Sequence, residues 1–236
     1  MRLRLLACAA LTLTACSPPA EKAAEPQAAA APAAGAPKTL AEINAVQPIT
    51  APAGRYALDP THSTVTFQVS HLGFSNYTAG FDQLGGALQF DPANPAAMSV
   101  EATIDVASLD LPAPPAGFKT ELLGAQWFDV GKHPQITFRS TKVEPTGPRA
   151  ARVTGDLTLH GVTRPVTLEA TFNGGYPPGG MDPGGARVGF SAKGAFKRSD
   201  FGMGYGVPAP GTSMGVGDEV AVAIETEWSM AAAPAG

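Results

Sequence analysis

Cysteine is nearly missing from this chain: of 236 residues, only Cys8 and Cys16 are cysteines. Both lie at the extreme N-terminus, so the bulk of the chain has no pair for an internal disulfide and no thiolate cluster for a metal. Its stability has to come from packing. Basic charge is scarce too, with 16 Lys and Arg against 20 Asp and Glu and a net charge of −4. A mildly acidic chain lacks the cationic surface that neutralises phosphates, which excludes nucleic acid as a partner. Histidine is limited to His62, His71, His133 and His160. Their spacings show no compact metal motif, and no metal ligand is assigned. A histidine pair made only by folding stays open, because separation along the chain does not exclude contact in space. Long apolar runs are also lacking, since no segment reaches the roughly 18 residues of a spanning helix.

What is present begins with an export signal. Met1-Arg2-Leu3-Arg4 is a basic start, Leu5 to Leu13 is mostly apolar, and the small Ala15 precedes Cys16. The run is too short to cross a hydrocarbon core of about 30 Å, so residues 1–15 read as a signal peptide. Leu13-Thr14-Ala15-Cys16 resembles the processing box of bacterial lipoproteins, in which cleavage leaves a diacylglyceryl cysteine as the first residue, usually with an acylated amino group. At about 0.8 kcal/mol per buried CH₂, two or three acyl chains anchor stably where one holds reversibly. The resemblance implies a cell-envelope protein attached to the membrane through lipidated Cys16. Ser17 rather than aspartate after it implies the outer membrane, facing the periplasm. Loss of Arg2 and Arg4 with the signal moves the net charge from −4 to −6. The alternative is a soluble periplasmic protein in which Cys16 is incidental.

Residues 16–53 are dominated by Ala, Pro, Glu and Gly and hold few large apolar side chains. They read as a lipidated tether, with a short helix over Thr39 to Val46 as its one candidate element. From Gly54 to Met230 apolar and polar residues alternate, over a length suited to one domain with a substantial core. Residues 231–236 read as a flexible C-terminus.

The alternation has a period of two, the mark of strands. Val65, Phe67, Val69 and His71 share one face; so do Val100, Ala102, Ile104 and Val106, and Val220, Val222, Ile224, Thr226 and Trp228. Further strands fit Tyr56 to Leu58, Phe81 to Phe90, Ile136 to Lys142, Arg152 to Leu159, Val166 to Phe172 and Ala186 to Phe196. Glycines at 147, 161, 174 and 175 mark reversals, so neighbours are antiparallel. Gly117 to Phe128 is the one helical segment. The pattern by itself leaves a closed barrel and a two-layer sandwich equally open.

Several strings break that tie. Tyr56-Ala57-Leu58-Asp59-Pro60-Thr61-His62-Ser63, Gln126-Trp127-Phe128-Asp129-Val130, His133-Pro134-Gln135-Ile136-Thr137-Phe138, Gly155-Asp156-Leu157-Thr158-Leu159-His160-Gly161-Val162-Thr163-Arg164-Pro165 and Arg198-Ser199-Asp200-Phe201-Gly202 occur in this order. Together they resemble the YceI-like family of bacterial periplasmic proteins and cover residues 55 to 228. The resemblance implies an all-β, antiparallel, lipocalin-like barrel of about eight strands with a short helical segment. It further implies noncovalent binding, storage or delivery of a long isoprenoid lipid, such as polyprenyl phosphate or an isoprenoid quinone, with no required cofactor. The chain departs from the family pattern in Phe118-Lys119-Thr120-Glu121, in the Tyr176 to Gly185 insertion and in the pliable Gly202 to Gly217 segment, and either of the last two could alter the barrel mouth.

Phe67, Val69, Phe90, Ile104, Phe138, Leu157, Leu159, Phe172 and Phe190 are the candidate ligand wall, although each could equally complete a packed core. His62, His71, Arg198, Asp200, Met203 and Tyr205 are the candidate headgroup or mouth residues. Arg198 would face a phosphate or quinone oxygen, with Asp200 holding its guanidinium. His62 next to Ser63 is no nucleophilic site without a third, orienting group, so no catalytic residue is assigned and the chain does not read as an enzyme. The competing reading is a structural or stress-related envelope protein with a packed interior and a protein partner that the sequence does not identify.

Overall fold

The period-two pattern becomes ten antiparallel strands in the computed structural model, which describes residues 50–179 and 185–230. Cys16, the signal peptide, the tether before Thr50, the helix proposed over 39–46, residues 180–184 of the insertion and residues 231–236 lie outside the described residues. The elements are β1 (Gly54–His71), β2 (Ser75–Phe81), β3 (Leu84–Phe90), β4 (Ser99–Asp105), β5 (Leu109–Asp110), α1 (Phe118–Leu122), β6 (Gln135–Gly147), β7 (Ala150–Leu159), β8 (Val162–Tyr176), β9 (Ala186–Lys197) and β10 (Val216–Met230). Hydrogen bonding runs from β1 through β10, β9, β8, β7, β6, β4 and β3 and back to β1. The sheet therefore closes as an eight-stranded barrel, and closure removes the edges of an open sheet except where β2 and β5 run on from it. β2 and the short β5 extend it: β2 pairs with the second half of β1, and β5 pairs with β2.

β1 joins two segments that the alternation keeps apart, Tyr56 to Leu58 and Ser63 to His71. Asp59 opposes Glu227 and Thr64 opposes Glu225, so five steps along β1 are matched by two along β10. An odd excess of three residues resets the parity, which is why Leu58 and Val65 both face inward although seven positions apart. The bulge is held locally. Thr61 donates its N–H and hydroxyl to Asp59 Oδ1 (3.0 and 2.6 Å), and Ser63 Oγ donates to the Asp59 carbonyl (2.7 Å). Pro60, which has no N–H for a ladder, is tolerated because it falls in the bulge.

The two ends of the barrel differ. One, the cap end, carries the β1–β2 turn, the β7–β8 turn, residues 106–134 with α1, and the β9–β10 connection at 198–215. There Val106, Leu109, Leu111, Phe201 and Met203 close one buried apolar cluster. At the far end Tyr56, Phe90, Phe172 and Trp228 anchor a second. Phe90 stacks on Phe172 at 5.6 Å, and Tyr56 meets Phe90 edge-on at 5.8 Å. Between these two clusters the barrel wall is only half-buried.

Candidate functional site

The space between the two clusters is a cavity of about 780 Å³, toward the upper part of the roughly 300–1,000 Å³ usual for small-molecule sites. No Asp, Glu or Lys is among the residues that line it. At the cap end it reaches the exposed His71, Pro112, Ala113 and Pro115, and at the far end the exposed Pro145, Gly147 and Pro148. The cavity is an apolar bore with access at both ends.

Inward parity puts the side chains there. Phe67 and Val69 come from β1, Phe90 from β3, Ile104 from β4, Phe138 from β6, Leu157 and Leu159 from β7, Phe172 from β8 and Phe190 from β9, and all nine line the bore. Phe90, Leu159 and Phe172 belong to the buried clusters as well, so core and wall are not exclusive roles. One position in this wall has to be glycine: a Cβ on Gly155 would lie 2.6 Å from the Arg139 carbonyl oxygen and against the Phe138 ring.

The proposed mouth residues do not assemble as the sequence reading has it. His71 and Met203 line the cavity. His62 does not: it is exposed on the bulge of β1, with Nδ1 3.0 Å from Asp59 Oδ2. Asp200 is exposed, and Tyr205 packs edge-on against Trp127 at 5.3 Å instead of lining the bore. Arg198 lines the cavity but is only 5% exposed, and its guanidinium is committed to backbone. Nε donates to Gly217 O (2.9 Å), one Nη to Met203 O and Tyr205 O (2.6 and 2.8 Å), and the other to Val216 O (2.7 Å). Its face lies 5.5 Å from the Trp127 ring. Burial lowers its pKa, and among the described residues no carboxylate is hydrogen-bonded to it: Asp218 accepts instead from the Ser199 N–H and hydroxyl. Arg198 therefore clamps the 202–217 segment, which contradicts both the headgroup contact and the Asp200 pairing expected from parity.

Trp127 is a residue that sequence reasoning missed. It lines the cavity at the cap end, yet its Nε1–H is buried without an acceptor among the described residues. A buried orphan donor is costly, on the order of 1–3 kcal/mol, unless something else accepts from it.

Outside the bore, Asp59 accepts from Thr61, Arg187 (2.6 Å) and His62, bonds that hold its carboxyl far below the ordinary 3.8. His62 is raised above its ordinary 6.5, chiefly by its hydrogen bond to Asp59. A depressed carboxyl stabilises the fold fully above its ordinary value and loses that contribution as pH falls toward the folded value. A raised imidazole does the reverse, contributing below 6.5 and losing the contribution as pH rises through the folded value. The Asp59→Asn variant should therefore be less stable than the parent at neutral pH, with the difference shrinking as pH falls below about 4. Thermal melts at a series of pH values check this, and a difference that does not shrink in acid would contradict it.

Two clusters bring three possible metal-ligating groups within 4.8 Å of one another: Asp59 with His62 and Glu227, and Asp129 with His133 and His160. The second includes a histidine pair with rings 4.9 Å apart, the contact that sequence separation left open.

A model of the YceI-like domain matches residues 56–228, the whole barrel from the first buried tyrosine to the last buried tryptophan. This chain belongs to the YceI-like family. Among its relatives, a UPF0312 protein of Pseudomonas putida (strain W619) is 40% identical over 154 residues, 64% of this chain and 77% of that one. A UPF0312 protein of Vibrio parahaemolyticus is 38% identical over 169 residues, 70% and 84% of the two chains. Of solved structures, Burkholderia cenocepacia BcnA superposes with a TM-score of 0.60 at 30% identity, over 72% of this chain and 98% of its own. A Campylobacter jejuni YceI protein gives 0.55 at 30% identity, over 66% and 86%. A polyisoprenoid binding domain from Saccharophagus degradans has the same fold, at 0.54 and 15% identity, over 74% and 97%. The closed barrel is the frame that this chain shares with these solved structures.

Proposed function

We propose that the YceI-like barrel holds one long isoprenoid lipid noncovalently along its bore, for storage or delivery in the bacterial envelope. The observation that carries this reading is a cavity of about 780 Å³ lined without a single Asp, Glu or Lys. An apolar chain entering it gains about 25 cal/mol per Å² removed from water, and the surplus over the cost of ordering the chain is the affinity. Openings at both ends let a tail longer than the barrel protrude. The headgroup stays at the cap end, where the Nε1–H of Trp127 donates to a phosphate or quinone oxygen. The lining guanidinia are engaged already, Arg198 by four carbonyls and Arg149 by Asn173 O at 3.1 Å.

Delivery needs contact with a bilayer. Phe74 is 82% exposed and Met214 70%, and their loops are joined at the cap end by Leu72 N–H donating to Gly215 O at 2.8 Å. Apolar side chains so placed enter the headgroup layer of a membrane. In this reading lipidated Cys16 and the tether over residues 16–53 keep the barrel close to the outer membrane, facing the periplasm.

The test is organic extraction of protein purified from its native membrane without lipid exchange, followed by mass spectrometry. One long-chain isoprenoid per chain is expected. For Trp127→Phe, affinity for a polyprenyl phosphate should fall severalfold while affinity for the matching hydrocarbon stays the same. Folded protein that stays empty after incubation with polyprenyl phosphates and quinones would overturn the reading.

A further inference from the structure

We propose that Asp129, His133 and His160 form a binding site for a divalent first-row transition metal, with zinc as the reference ion, at the cap end and outside the lipid cavity. None of the three lines the bore. Each offers one ligand atom, and these atoms lie within 4.8 Å of one another, close enough for small rotations to bring them around one ion. Three protein ligands of the N, N, O type with a fourth position left to water suit zinc.

The decisive group is His160. Its Nδ1 lies 3.3 Å from the Phe201 carbonyl, which can only accept, so the proton sits on Nδ1. Nε2 then carries a lone pair, and that atom is buried with no hydrogen-bond partner among the described residues. A second ring nitrogen donating to a backbone carbonyl is the usual outer support of a metal-bound histidine; it fixes both tautomer and ring orientation. Asp129 has comparable support, since Lys132 Nζ lies 2.9 Å from Oδ2. The lysine side chain is 73% exposed and free to swing aside. Room for the second imidazole comes from Gly161, where a Cβ would fall 2.5 Å from His133 Cε1.

The other cluster shows why geometry alone is not enough. Around Asp59, His62 and Glu227 a cation is already in place: Arg187 lies 2.6 Å from Asp59 Oδ2 and 3.3 Å from Glu227 Oε2. At Asp129, His133 and His160 the cation in place is the exposed Lys132 ammonium, which touches Asp129 alone, and the orphan lone pair of His160 remains. The site would join the segment after α1, the β7–β8 turn and, through Phe201, the β9–β10 connection.

The full chain, with Cys8 and Cys16 blocked by alkylation and metal removed by chelation, should take up one zinc per chain in equilibrium dialysis and melt at a higher temperature with zinc than without. Cobalt should give the visible bands of a four-coordinate ion. Asp129 and His160 both have positive φ, 48° and 52°, which asparagine tolerates better than most residues. Asp129→Asn and His160→Asn therefore remove a ligand while sparing the backbone, and each should weaken zinc binding at least about tenfold. Proton–nitrogen NMR of the wild-type histidine rings needs no variant: zinc should shift His133 and His160 and leave His62 unmoved. Substoichiometric uptake at micromolar zinc, wild-type affinity in both Asn variants, or unshifted His133 and His160 rings would each overturn the proposal.

Discussion

Replacing Ala170 by tryptophan is expected to leave a folded but empty barrel. Ala170 on β8 faces Ala192 on β9 in the ladder, both line the bore, and both sit near the middle of their strands. An indole there projects into the cavity, where space is available, so the strands need not part. A chain lying along the bore would meet the new side chain midway and lose the portion beyond it. Each methylene kept out forfeits about 0.8 kcal/mol, so excluding four or five weakens binding by roughly 3–4 kcal/mol, more than a hundredfold at about 1.4 kcal/mol per decade. Extraction and mass spectrometry of the purified variant should recover little or no isoprenoid. Ala195→Trp, on the exposed face of β9, is the control and should retain a full equivalent. Full retention by a folded Ala170→Trp protein would mean that the lipid does not lie in the bore.

The inward-facing wall around Ala170 is legible in the sequence. Period-two alternation marked Phe67, Val69, Ile104, Leu157 and Leu159 as one-sided, and in a closed sheet one side is the inside. What alternation does not encode is closure. Closure pairs β1 with β3 on one side and, on the other, with β10, across separations of more than 150 positions such as Phe67 to Val222, and the family resemblance rather than the pattern pointed to it. Nor does it encode an odd insertion. The bulge at Asp59 to Ser63 looks like a strand break in the sequence, and its Asp-Pro-Thr-His-Ser string resembles a site because it is polar in an apolar neighbourhood. Its work is to hold the bulge, which takes His62 away from the mouth.

The cap end was the least legible part. Asp129 and His133 are four apart, a spacing with no meaning until the positive φ at Asp129 and the turn at His160 and Gly161 bring the groups together. Trp127 reads as an ordinary apolar residue, because a buried N–H without an acceptor is a property of surroundings, not of type. Arg198 and Asp200 share strand parity only if β9 continues. It ends at Lys197, and a 3₁₀ turn over Arg198–Phe201 sends the two side chains in different directions.

Arg198→Met should lower the melting temperature of the unliganded protein by roughly 6–20 °C. Methionine keeps much of the apolar stem but removes the donors that satisfy the carbonyls of Met203, Tyr205, Val216 and Gly217, and the cation above Trp127. Hydrogen bonds to a charged donor contribute about 1.5–3 kcal/mol each; because the four share one side chain and are not additive, a total of about 3–5 kcal/mol is a sounder figure. For a domain of this size, each kcal/mol moves the midpoint by about 2–4 °C. Arg198→Lys should recover less than half of the loss, because an ammonium is a point donor that cannot span four carbonyls in the plane of a fork. The 202–217 segment should become the first site of proteolytic cleavage in both variants. A headgroup ligand would behave in the opposite way, with an unchanged melting point in the empty protein, weaker binding of phosphate-bearing lipids and substantial rescue by lysine. The melting temperature of the empty protein thus separates the two roles of Arg198 without requiring that the lipid be known.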